Sequence, residues 1–211
     1  MTYIDISHTL SIDLPHWPVN SQDPEIKKVL SIKKGNTNNL TWLGTDIHIG
    51  THIDAPYHFI ENGKKIDQVN LEGLIGPCFV MDTKDAKLID QKLLESHNIP
   101  KSTSRILFKT SNARLWDNKE FHKDFVALSA DGARWMVENN IVLVGIDYLS
   151  IQPFEQPGDE THIILLKNDI IIIEGLDLRN ADEGVYELIA LPLKISDSEG
   201  GPVRAILKTT N

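Results

Sequence analysis

Imidazoles and a carboxylate recur at even positions in the run His48-Ile-Gly-Thr-His52-Ile-Asp54-Ala-Pro-Tyr-His58, which gathers three of the chain's eight histidines into eleven residues. A helix is disfavoured there, because Gly50, the β-branched Thr51 and Ile53, and Pro56 all resist it. In an extended chain, positions 48, 50, 52 and 54 share one face, and Ile49 and Ile53 turn toward a core. A straight strand would carry residues 48 and 54 roughly 20 Å apart at ~3.3 Å per residue. Two ligands of one ion, with bonds near 2 Å, hold their Cα atoms within about 11 Å. The chain must therefore bend, and Gly50 and Pro56 permit it. Two histidines and an aspartate on a bent strand form a nitrogen-and-oxygen donor set, which suits zinc or manganese better than calcium or magnesium.

A divalent ion held this way, with an open position, brings the pKa of its water toward neutrality. The hydroxide can attack an amide, formamide or lactam carbonyl, and the ion stabilises the oxyanion. The departing nitrogen must gain a proton. His58, four residues past Asp54 and beyond Pro56, is placed to act as general acid or base. No Gly-x-Ser-x-Gly elbow offers a serine nucleophile instead. A second pair stands further on. His162 and Glu174 flank the polar turn 167–169, each six residues from Asn168, and as arms of a hairpin they would face each other. Taken alone, a histidine such as His162 is more often a core or surface residue than a ligand. Glu174 ends a run of four isoleucines, where a carboxylate needs a partner that a metal would supply. His8, His97 and His122 sit among polar residues and are expected to be solvated.

Elements that must position these groups are mostly strands. Runs rich in β-branched or aromatic residues, or bounded by turn residues, predict strands at 3–6, 27–32, 40–49, 75–82, 105–110, 141–146, 170–176, 186–191 and 203–208. Helices are predicted at 90–97, at 130–139 with Ser129 as N-cap, and at 159–167. No repeat or Gly/Ser/Pro linker divides the 211 residues, which form one mixed α/β domain. Hydrophobic residues at 41% and charged residues at 24% are ordinary for a globular chain. A net charge of −9 without a Lys/Arg block argues against nucleic acid and anionic membranes as partners. The lone Cys78 excludes an internal disulfide, and the first residues lack a signal-peptide pattern, so a cytoplasmic setting is expected.

The motif His-x-Gly-Thr-His-x-Asp-Ala-Pro-x-His, followed by Ile66-Asp67 and Leu74-Ile75-Gly76-Pro77, resembles the bacterial kynurenine formamidase (arylformamidase) and cyclase family. Trp17-Pro18, Val144-Gly145-Ile146-Asp147 with Ser150, His162 with Leu166, and Ile173-Glu174-Gly175-Leu176 extend the resemblance along the chain. The chain departs from the pattern at three places. Val19-Asn20 stand where the family commonly has Gly-Asp, Gln152 where it has an acidic residue, and Asn70 where a proline is common.

The resemblance implies a single α/β domain over residues 1–211, with a mixed, barrel-like β-sheet core and a few flanking helices, of the swivelling β/β/α type. It implies a site for two divalent ions, zinc or manganese. His48, His52 and Asp54 match ligands of the first ion. Asp54 also bridges to the second, His162 matches a ligand of the second, and Glu174 serves both. His58 matches the catalytic acid/base, and Trp17 an aromatic residue lining the substrate pocket. The implied activity is hydrolysis of the C–N bond of N-formylkynurenine, in a homodimer or higher homo-oligomer. A cyclic amide or lactone such as isatin is the second reading, and a metal-binding module without activity the third. Trp17, Tyr57 and Phe59 lead us to expect aromatic amides that are neutral or anionic.

Overall fold

The computed structural model describes residues 1–19, 21–117, 119–154 and 156–210. The elements run in the order β1 (Tyr3–Asp5), β2 (Glu25–Leu30), β3 (Leu40–Gly44), β4 (His52–Asp54), α1 (Leu71–Leu74), β5 (Ile75–Asp82), α2 (Gln91–Ser96), β6 (Arg105–Lys109), α3 (Ala130–Glu138), β7 (Leu143–Ile146), α4 (Glu160–Lys167), β8 (Ile171–Glu174), β9 (Gly184–Pro192) and β10 (Gly200–Thr209). The sheet order β10-β4-β8-β7-β6-β5-β9 closes on itself, because β9 also pairs with β10. The result is a seven-stranded barrel, the barrel-like α/β architecture expected from the sequence. Strands β5 to β8 run parallel, joined by crossovers that carry α2, α3 and α4. The other pairings are antiparallel.

Strand parity separates two cores. On β8, Ile171 and Ile173 enter the barrel with Ile53, Leu107, Leu188 and Ala205. Ile172 points the other way, into a layer with Met81, Phe108 and Ile146 that α3 and α4 cover with Ala133, Met136 and Leu165. The three long helix predictions hold, and the Ser129 hydroxyl caps α3 by accepting from the Gly132 amide. The strand expected at 40–49 does not run through. β3 ends at Gly44, and the backbone turns through residues 45–51 before the three residues of β4. Polar Thr45 and Asp46 break the ladder there, and β4 then finds its partners in β10 and β8 rather than in β2. No helix among the described residues is long and apolar enough to cross a membrane.

Candidate metal centre and cavity

Register sets the site. In the antiparallel β4–β8 pair His52 lies opposite Glu174, and Asp54 opposite Ile172. Residues opposed in this way project from the same face. His52, Asp54 and Glu174 therefore stand together on the outer face of the barrel, while Ile53 and Ile173 fill its interior. The helix α4 lies over that face and brings His162 down onto Glu174. A hairpin between 162 and 174 does not form; the return from α4 places Glu174 beside the helix, as the family resemblance implies. The Gln152 Oε1 accepts from the Thr161 and His162 amides, so this departure from the family pattern caps the first turn of α4.

His48 reaches the site because the chain folds sharply before β4. Gly50 adopts φ +56 and Gly175 φ +66, and the two backbones touch. A Cβ on Gly175 would stand 1.9 Å from the Gly50 carbonyl oxygen. The Thr51 hydroxyl ties the same contact by donating to the Gly175 carbonyl at 2.5 Å. Gly175→Ala combines left-handed strain with a backbone clash, and we expect it to lower unfolding free energy by about 3 kcal/mol or more. Chemical denaturation measures this directly; a loss under about 0.5 kcal/mol, the size of a neutral surface change, would refute the close-approach account.

The donors converge tightly. His48 Nδ1 is 3.0 Å from Asp54 Oδ1, and His52 Nε2 is 3.5 Å from both Asp54 Oδ1 and Glu174 Oε2. His162 Nε2 is 3.2 Å from Glu174 Oε1 and 3.8 Å from Asp54 Oδ2. Among the described residues two groups have the compactness to hold an ion, His48–Asp54–His58 and His52–Asp54–Glu174, and they share Asp54. The grouping differs from the expected one: His58 joins His48, and His52 joins Glu174. Asp54 is 1% exposed, yet neither of its oxygens accepts a hydrogen bond, and His52 Nε2 is equally unpartnered. Buried polar atoms are ordinarily satisfied, so these unpaired donor atoms fit a divalent cation. The Gly50 carbonyl lies 3.0 Å from His52 Nδ1, which fixes the ring with Nε2 toward the carboxylates.

Protonation divides the two stacked imidazoles, whose ring centres are 4.0 Å apart. Burial pushes His58 down to about 4, with the positive charge of His48 adding to it against the pull of Asp54. Burial also disfavours the His48 cation, but Asp54 and Glu199 outweigh it and raise that pKa to about 10 in the ion-free chain. Burial opposes ionisation of Asp54 too, and the histidines around it win and hold its pKa low.

The donors open into a cavity of about 430 Å³. Trp17 lines it, packed edge-on against Phe121 at 5.2 Å and tilted against Phe154 at 5.3 Å. Phe59 also turns in and stacks on His162 at 4.6 Å, whereas Tyr57 lies out beneath the Lys65 ammonium. Val19 and Gln152 line the cavity; Asn20 lies outside the described residues. Asp46, Asp159 and Glu199 form an acidic rim, and no Lys or Arg lines the cavity among the described residues. Sequence reasoning missed Glu199. Its backbone carbonyl accepts from Ala55, which sets its carboxylate 3.6 Å from His48 Nε2, a neighbour supplied by the residue just before β10, from the far end of the chain. His8 is not solvated as expected: it stacks on Trp116 at 3.7 Å. His97 is bonded as well, 2.8 Å from Glu183.

The Cyclase family model matches residues 4–153, well over half of the chain and all of the His48–His58 run. The chain belongs to the Cyclase family. Its relatives in that family include "Cyclase-like protein 3" of Arabidopsis thaliana, 38% identical over 211 residues that span 96% of this chain and 78% of the relative. "Kynurenine formamidase" of Bacillus thuringiensis subsp. konkukian is 37% identical over 207 residues, spanning 98% and 97%. A solved "potential metal-dependent hydrolase with cyclase activity" superposes with a TM-score of 0.83 at 31% identity, covering 98% of this chain and 96% of that one. An isatin hydrolase bound to thioisatinate shares the fold, with a TM-score of 0.86 at 20% identity over 97% of this Cyclase family chain and 91% of its own.

Proposed function

We propose that this chain is a divalent-metal-dependent hydrolase of a C–N amide bond, with aryl formamides such as N-formylkynurenine as its first substrate class. The observation that carries the reading is Asp54: a buried carboxylate with no hydrogen bond to either oxygen, faced by histidine nitrogens and shared by two donor groups that open into an aromatic-walled cavity. The near full-length match to a protein named kynurenine formamidase supports the substrate class.

His48, His52, Asp54, His162 and Glu174 would hold the metal, in our reading two ions of zinc or manganese, and Asp54 is common to both compact donor groups. A divalent cation there supplies Lewis acidity, polarising the amide carbonyl and lowering the pKa of a water. His58 moves the proton. Kept neutral by burial, its ring nitrogen takes the proton from the attacking water. It returns that proton to the nitrogen as the C–N bond breaks, so amine and formate leave. Trp17, Phe59 and Phe154 hold the aryl ring. Asp46, Asp159 and Glu199 in the cavity lining suit a substrate with an ammonium group, and N-formylkynurenine, with one ammonium and one carboxylate, is neutral overall and within the expected class. We place the protein in the cytoplasm, in keeping with its free, buried Cys78.

A metal-titrated assay on N-formylkynurenine, formanilide and isatin tests the reading. We expect hydrolysis of the formyl amides that chelation abolishes and zinc or manganese restores. Turnover of isatin alone would favour the cyclic-amide reading. Metal uptake without turnover of any of the three would leave a binding module. Less than a tenth of an equivalent of transition metal after titration would end the metal hypothesis. Short aliphatic amides preferred equally by the parent and by Trp17→Ala would remove the aromatic wall.

A further inference from the structure

Beyond the metal donors, three carboxylates line the cavity, and the protein engages two of them itself. Glu199 stands 3.6 Å from His48 Nε2. Asp46 accepts from the Ser21 hydroxyl and the Gln22 amide. Asp159 is the third. It occupies the N-cap position of α4, where an aspartate ordinarily has an extended backbone and accepts from the helix's first amides. Here its backbone is left-handed, at φ 49 and ψ 33, and its side chain makes no cap bond. Gln152 does the capping instead. Its Oε1 accepts from the Thr161 amide at 3.1 Å and the His162 amide at 3.4 Å. Backbone amides only donate, so the oxygen must face them, and the nitrogen is left to donate to Asp159 Oδ1 at 3.2 Å. An acidic residue at 152, common in the family, would set a second negative charge against Asp159; the Gln152 carboxamide holds it instead.

Among the described residues that amide is the one hydrogen-bond donor to the Asp159 side chain, and no Lys, Arg or His forms an ion pair with it. A carboxylate has about four acceptor sites, so the charge of Asp159 and most of its lone pairs are left for a ligand. The cavity is built to receive one: the buried Asp54 and His52 donor atoms beneath it have no hydrogen-bond partner, and Trp17 and Phe154 wall it. His162 follows Asp159 by three residues, in the first turn of α4, so this carboxylate and the metal donors share one rim. We propose that Asp159 selects the substrate's ammonium group, binding it by a charge-assisted hydrogen bond while the aryl amide lies at the donors. The assignment rests on the hydrolase reading and names the residue that sets its substrate preference.

Matched substrates test it. N-formylkynurenine and the analogue with hydrogen in place of its ammonium differ in that group alone. The parent should prefer the ammonium-bearing substrate in kcat/KM. Asp159→Asn should shrink that preference by about 10- to 100-fold, mostly through KM, the size of one hydrogen bond to a charged group. Asparagine keeps the shape and tolerates the left-handed backbone, and circular dichroism checks the fold. Asp159→Lys should invert the preference. A parent without preference overturns the proposal, as does a preference unchanged in Asp159→Asn. Equal losses on both substrates also overturn it, because they assign Asp159 to the structure of α4. Failure of the hydrolase reading looks different: the metal-loaded parent turns over neither substrate. Calorimetry then reads the residue without catalysis. Kynurenine, the amine product, should bind the parent about 10-fold or more tightly than it binds Asp159→Asn, and equal affinities overturn the proposal.

Discussion

Asp54→Ala will empty the site of divalent metal, and its turnover will fall by more than the ~10²–10⁴-fold expected for loss of a general acid or base. Both donor groups pass through this one carboxylate. No neighbour can replace it: Ile53 faces the barrel core and Ala55 carries no donor. His162→Ala removes a group that approaches Glu174 more closely than Asp54, and it leaves both compact donor groups, His48–Asp54–His58 and His52–Asp54–Glu174, intact. Elemental analysis should find under a tenth of the parent's metal in Asp54→Ala, and a substantial remainder in His162→Ala. Asp54→Asn, which keeps the shape and removes the charge, should behave like the alanine variant. Removing the carboxylate also leaves the His48 cation without its main partner, so some stability is lost in the ion-free protein. Measuring metal content on protein shown to be folded separates the two effects. Equal metal loss in Asp54→Ala and His162→Ala would contradict the sharing of Asp54.

His58→Ala will keep its metal and its fold and lose roughly 10²–10⁴-fold in turnover. The ring sits at the cavity wall, stacked on His48 and at right angles to His162 with centres 6.3 Å apart. Burial keeps it neutral, the form that can accept a proton from water. A weakly basic leaving nitrogen needs less protonation as it departs. The deficit of the variant should therefore shrink on a nitro-substituted anilide relative to the unsubstituted one. Comparing the two substrates in parent and variant measures this directly. The same geometry makes His58 a candidate ligand, since it lies within one compact donor group with His48 and Asp54. Metal content decides between the roles. A variant that loses its metal assigns His58 to the ion, and a variant with both metal and full activity places the proton transfer elsewhere.

The chain's local pattern already contained the donor run, its need to bend at Gly50, and the inward course of Ile49 and Ile53, which are 1% and 0% exposed. These follow from the period of two along an extended chain, a property of neighbouring residues alone. The α3 and α4 helices were legible for the same reason, through capping by Ser129 and short-range apolar spacing. The resemblance, carried by an eleven-residue motif, added His162 and Glu174, which their own surroundings left ambiguous. Tertiary structure decided what depends on distant pairing. The β4–β8 register, between residues more than a hundred positions apart, sets His52 against Glu174 and so regroups the donors. A shift of one residue would turn that histidine into the barrel. Barrel closure through β9 and β10 delivers Glu199 to His48, and nothing around residue 199 announces it. The break after Gly44, where one long strand was expected, leaves β2 and β3 as a separate exposed ribbon. Whether an apolar, β-branched run is buried depends on what packs over it, and among the described residues nothing buries either strand of this ribbon.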